Sequence, residues 1–116
     1  MGELSLVLVD DLMLWSRIEA AAKRLGKPAV RAQDAAAVAA AIDGGGVGRV
    51  LLDLDFRGFD ALAEASRWKA SKTPPTLVAF GSHVDAEALE SARRAGFDRV
   101  LPRSRFVREL EELLRG

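Results

Sequence analysis

The chain has 116 residues, with 17 Lys or Arg balanced by 17 Asp or Glu. That length suits one domain over 1–116 with a single core. A charge balance of zero lacks the basic excess expected of a nucleic-acid binder or a membrane-surface domain. Without cysteine there are no disulfides, thiolate zinc sites or cysteine nucleophiles. No apolar run approaches a membrane span, and Leu4 to Val9 is too short for a signal sequence, so a cytoplasmic protein is expected.

Leu4 to Val9 reads as a buried strand ending at Asp10-Asp11. From Leu12 to Leu25, the residues Leu12, Trp15, Ile18, Ala22 and Leu25 recur at helical spacing, and Gly26 and Pro28 close that helix. Ala29 to Ala32 is a weak second strand. Asp34 caps an alanine-rich helix through Ile42, which Gly44-Gly45-Gly46 ends. Val47 to Leu54 is a strong strand that carries Asp53, and Phe59 to Trp68 is a third helix facing inward with Leu62, Ala65 and Trp68. Pro74-Pro75 precedes the strand Thr76 to Phe80. Asp85 caps a helix through Ala95, Arg99 to Leu101 forms a fifth strand, and Ser104 caps a last helix striped by Phe106, Leu110, Leu113 and Leu114.

Strands that are apolar throughout, alternating with amphipathic helices, require a parallel sheet covered on both faces. Right-handed crossovers then favour a doubly wound, flavodoxin-like α/β fold with five strands in the order 2-1-3-4-5. Ligands of such sheets bind beyond the carboxyl ends of the strands, beside the switch point between the first and third. Asp10, Asp11 and Asp53 converge there. Crowded carboxylates repel one another and suit a divalent cation, Mg²⁺ above all, which would let one of them attack a phosphoryl group. One acid at a strand end is ordinarily a helix cap; a pair plus a third is more specific.

These segments make the whole chain resemble a response-regulator receiver domain. LVLVDD resembles the family's first strand with its acidic pair, VLLDLDFRGFDAL the segment with the phospho-accepting aspartate, and ARRAGFDRVLPRSRF the approach to the fifth strand and its basic residue. The resemblance implies that Asp53 accepts the phosphoryl group. It also implies that Asp11 binds Mg²⁺ directly, that Asp10 acts through water or hydrogen bonds, and that the backbone carbonyl of Asp55 is a further ligand, the side chain of Asp55 adding a fourth carboxylate. A histidine kinase or phosphotransfer protein would be the upstream partner. A downstream protein would dock on the face of the fourth helix, fifth strand and fifth helix, with Leu89, Arg93, Val100, Arg105 and Arg108. Neither nucleic acid nor membrane is expected as a partner.

The family pattern is broken at several positions. Counting back from the fifth strand places the family's Ser or Thr at Gly81, which has no hydroxyl; the adjacent Ser82 is the alternative source of one, although neighbouring side chains of an extended segment point to opposite faces. The family's lysine becomes Arg103, whose fork can grip Asp53 through two bonds and imitate a locked state. Ser104 stands where the family has proline, so the usual cis bond is not expected. The switch aromatic becomes Val100. The expectation is an atypical receiver that is not itself an enzyme, an interaction module with impaired switching in which Asp53 stays chemically competent to take a phosphoryl group; the alternative is a conventional Mg²⁺-dependent phospho-acceptor. Asp53-Leu54-Asp55 also resembles the DxD of haloacid-dehalogenase-type phosphatases, but follows the third strand and lacks that family's following Gly-Thr. Gly44 to Gly48 closes a helix and precedes a strand, the reverse of a dinucleotide loop, and reads as a connector. His83, the sole histidine, reads as a surface residue.

Overall fold

The computed structural model describes residues 2–116. Its elements are β1 (Leu4–Leu8), α1 (Leu12–Leu25), β2 (Ala29–Arg31), α2 (Ala35–Asp43), β3 (Val47–Asp53), α3 (Ala61–Lys69), β4 (Thr76–Gly81), α4 (Ala86–Arg94), β5 (Arg99–Pro102), α5 (Arg103–Arg108) and α6 (Leu110–Arg115). All strand pairs are parallel and the order is β2-β1-β3-β4-β5. This is the doubly wound arrangement expected from the alternation of apolar strands with amphipathic helices.

The side-chain period of two sorts each strand between two cores. Leu6, Leu8, Val50, Leu52, Leu77 and Ala79 pack with α2, α3 and α4 residues including Val38, Ile42, Trp68 and Ala92. Val7, Val9, Leu51, Val78 and Phe80 pack on the other face with Ile18, Phe106 and Leu114. Burying each such large side chain contributes about 1.5–3 kcal/mol before entropy is counted. Both faces of the central strand are covered, and that forces β3 to read apolar from Val50 to Leu52 until Asp53 ends it.

Aspartates start the helices. Asp11, Asp34, Asp60 and Asp85 each accept backbone N–H bonds from the first turn of the following helix, which satisfies donors that have no intrahelical partner. Asp60 starts α3 two residues later than the sequence expectation, leaving Phe59 in the loop. In α1 the inward face is Leu14, Ile18, Ala21 and Ala22. Leu12, expected inside, is 64 % exposed, because the capping turn at Asp11 fixes the helix's rotation. The last helix also departs from expectation. It begins at Arg103 with Pro102 as an N-cap that makes no side-chain bond, and it breaks at Glu109 into α5 and α6. Ser104 is therefore not the cap. Phe106, Leu110, Leu113 and Leu114 are nonetheless buried as the stripe required.

Candidate functional site

β1 and β3 lie side by side with Leu8 opposite Leu52. Their carboxyl ends therefore deliver Asp10, Asp11 and Asp53 to one end of the sheet. Asp53 is 3 % exposed. Its Oδ1 accepts the N–H of Asp55 at 2.9 Å and Nη2 of Arg103 at 3.0 Å, while its Oδ2 accepts Nη1 of Arg103 at 2.9 Å. The guanidinium thus closes a two-bond fork on the buried carboxylate, the strongest geometry open to an ion pair. A third bond runs from Nη2 to Oδ2 of Asp55 at 3.2 Å.

Strand register explains why Arg103 arrives there. Asp53 pairs with Phe80 across β3 and β4, and Phe80 pairs with Leu101 across β4 and β5. Arg103 opens α5 two residues beyond Leu101. Its guanidinium carbon lies 5.3 Å from the centre of the Phe80 ring, which itself stacks on Phe106 at 3.8 Å. The aromatic pair supports the cation from below, and Asp53 and Asp55 hold its end. The hydrogen bond to Asp53, opposed by desolvation and reinforced by the charges of Asp53, Asp55 and Asp11, raises the Arg103 pKa above its ordinary value.

The other two acids are engaged elsewhere. Oδ1 of Asp11 caps α1 through Met13 N–H at 2.9 Å and Leu14 N–H at 3.1 Å. Asp10 accepts Arg57 N–H at 2.7 Å and Gln33 Nε2 at 3.3 Å. Among the described residues no group of three acidic, His or Cys side chains is arranged to hold a metal ion. The expected ligand set of Asp10, Asp11, Asp53 and Asp55 is thus divided: Asp53 and Asp55 share Arg103, while Asp10 and Asp11 brace loops. With both Asp53 oxygens on the guanidinium, these residues as arranged do not fit a divalent cation. Arg103 supplies the neutralising charge.

Gly81 requires a correction. The residue opposite Asp53 on its own face is Phe80, whereas Gly81 pairs with Pro102 and belongs to the other face. A Cβ at Gly81 would meet Leu54 Cδ1 at 3.1 Å, not the carboxylate. The position from which a β4 side chain faces Asp53 is therefore filled by a fully buried ring rather than vacated by glycine. Counting back from β5 crossed the β4–α4 loop, whose length sets no side-chain parity. Ser82, exposed, accepts Val84 N–H through its hydroxyl at 3.3 Å and serves that turn. His83 is exposed in the same loop. Val100 lies half-buried opposite Ala79. On the α4-β5-α5 face, Leu89 is buried, while Arg93, Arg105 and Arg108 are exposed.

A doubly wound parallel sheet with acids gathered at the β1/β3 switch point and a basic residue after β5 defines a receiver-type fold. Solved structures agree. The receiver domain of a sensor histidine kinase from Pseudomonas aeruginosa PAO1, described with a magnesium ion coordinated in its active-site cleft, superposes with TM-score 0.79 at 18 % identity over 99 % of this chain and 96 % of that one. A response-regulator receiver domain from Bermanella marisrubri gives TM-score 0.79 at 20 % identity, covering 99 % and 97 %. An orphan response regulator of H. pylori gives 0.71 at 17 % identity, covering 97 % and 90 %. No protein-family model and no curated protein matches the sequence. This chain therefore has the fold of the response-regulator receiver domain. None of its described helices is long and apolar enough to cross a membrane.

Proposed function

We propose that this chain is an atypical receiver domain of two-component signalling, a protein-interaction module whose conformation does not depend on phosphorylation. The observation that carries the reading is the fork of Arg103 on Asp53, at 2.9 and 3.0 Å. A nucleophile must present a lone pair to the incoming phosphorus. Both oxygens of Asp53 are instead bonded by a cation whose own side chain is anchored on Phe80, and an incoming phosphoryl group would have to displace it. The β4 position facing the site carries Phe80 in place of a hydroxyl, so a phosphoryl group would find no donor there to draw the loop inward. Val100 lacks the rotating aromatic ring through which the family reads such a movement. The module is not an enzyme in this reading. Its upstream contact is a histidine kinase or phosphotransfer protein, and its output face is α4, β5 and α5, where Arg93, Arg105 and Arg108 are solvent-exposed.

The test is intact-mass measurement after incubation with Mg²⁺ and acetyl phosphate. The wild-type protein is expected to stay unmodified. Arg103→Ala, which releases Asp53, is expected to gain an adduct that Asp53→Ala removes. An Asp53-dependent phosphoryl adduct on the wild-type chain would overturn the locked reading in favour of a conventional, Mg²⁺-dependent acceptor.

A further inference from the structure

The amino end of the sheet, opposite Asp53, holds a second charged group. Arg49 in β3 is 6 % exposed. Its Nη1 donates to Ser5 Oγ at 2.9 Å and to the Glu3 carbonyl at 3.1 Å. Among the described residues these are its hydrogen bonds, so the Nε and Nη2 donors have no protein acceptor. Burial lowers its pKa from the ordinary value, against the charge of Glu3, yet a guanidinium stays protonated at neutral pH. Neither Nε nor Nη2 is fully buried: this edge of the guanidinium faces the adjoining cavity, with Gly116 beside Nη2.

Arg49 forms part of the wall of an open cavity of about 750 Å³. Four basic residues line that cavity, Lys27, Arg49, Arg99 and Arg115, against the acids Glu3 and Glu112. Lys27 is paired with Glu3 at 2.7 Å, Arg99 with Glu109 at 3.0 Å and Arg115 with Glu111 at 3.6 Å. Arg49 alone of the four has no carboxylate in ion-pair reach among the described residues. The glycine segment after α2 borders the same space. A Cβ on Gly48 would come within 2.2 Å of the Gly2 carbonyl oxygen, so glycine is what allows the N-terminal segment to lie against this wall. Val78 and Leu113 border the cavity but are themselves buried in the core.

We propose that this cavity binds a small organic anion, its carboxylate or phosphate head on the cavity-facing edge of Arg49 beside Gly116. Three strand residues separate Arg49 from Asp53, four rises or roughly 13 Å along β3, so the site is distinct from the acid cluster. A charge-assisted two-bond fork to an oxyanion is the strongest contact a guanidinium makes.

Phenyl phosphate and benzoate, titrated separately and followed by backbone amide shifts, test this. The expected result is a saturable change centred on Gly46, Gly48, Arg49 and Thr76. The tighter binder identifies the head group. Arg49→Met, close in volume, should weaken binding about tenfold or more, and the same substitution at exposed Arg67 should leave it unchanged. If Arg49→Met fails to fold, Arg49→Lys keeps the charge but loses the fork and should still weaken binding. No saturable change, unaltered affinity in the Arg49 variants, or shifts centred on Arg103 would each overturn the proposal.

Discussion

Removing Arg103 should expose how strongly the acid cluster depends on it. In Arg103→Ala, Oδ2 of Asp53 loses the Nη1 bond of 2.9 Å, while Oδ1 keeps the Asp55 N–H at 2.9 Å. Breaking a buried ion pair by deleting one partner costs about 3–5 kcal/mol. The Arg103 side chain is 33 % exposed, so water enters the vacated space and the cost falls to roughly 2–3 kcal/mol. For a domain of this size each kcal/mol shifts Tm by about 4 °C, which predicts a drop of roughly 8–12 °C. The assay is urea and thermal unfolding of the wild type, Arg103→Ala, Asp53→Asn and the double variant. Asp53→Asn removes the charge with little change of shape, so the double variant should be far less damaged than the sum of the singles, with a coupling of at least about 1.5 kcal/mol. An Arg103→Ala protein within about 0.5 kcal/mol of wild type, or strictly additive singles, would refute the reasoning.

Two further outcomes follow from the geometry. Gly81→Ser presses a Cβ against Leu54 at 3.1–3.3 Å and should destabilise by about 1 kcal/mol in denaturant unfolding. It should also leave the acetyl phosphate result of the wild type unchanged, because the new hydroxyl is on the wrong face; a gained adduct would contradict the assigned register. At Asp98, burial pushes the carboxyl upward, but the Leu77 N–H at 2.7 Å and the Lys69 ammonium more than offset it, leaving its pKa below the ordinary 3.8. A depressed folded-state pKa gives stability that is present above the unfolded value and is lost as pH falls through the folded one. Asp98→Asn should therefore cost roughly 0.5–1 kcal/mol at neutral pH, and its gap from wild type should close as pH drops below about 4. A gap that persists into acid would show that the charge plays no part.

The sheet was legible because burial on both faces leaves no room for polar residues. Val50 to Leu52 and Leu77 to Phe80 announce themselves as central strands through that constraint alone. The same constraint erased the signal needed for Gly81. When both faces are apolar, the sequence carries no parity, and nothing in LVAFG says which residue turns toward Asp53. The acid cluster was readable as a place, since Asp10, Asp11 and Asp53 each end an apolar run. Their division of labour was not, because an aspartate before a helix serves equally as cap or ligand, and it is the fold that sets Asp11 to capping α1. Arg103 was anticipated as a fork on Asp53, and the two bonds bear that out. Arg49 was missed. Its one available signal was a charge at the head of RVLLDL, easily taken for the solvent-facing start of the strand.

The Arg103 guanidinium differs from a bound ion in one respect that reaches beyond the site. It is tethered to the chain, so its concentration beside Asp53 is set by a few bonds and not by the medium. A fluctuation in cellular magnesium or phosphodonor, which would change the occupancy of an ion-dependent cleft, leaves a tethered cation where it is. Under the function proposed above, such a domain would present partners with an unvarying surface, and the variable left to carry information would be the number of copies made.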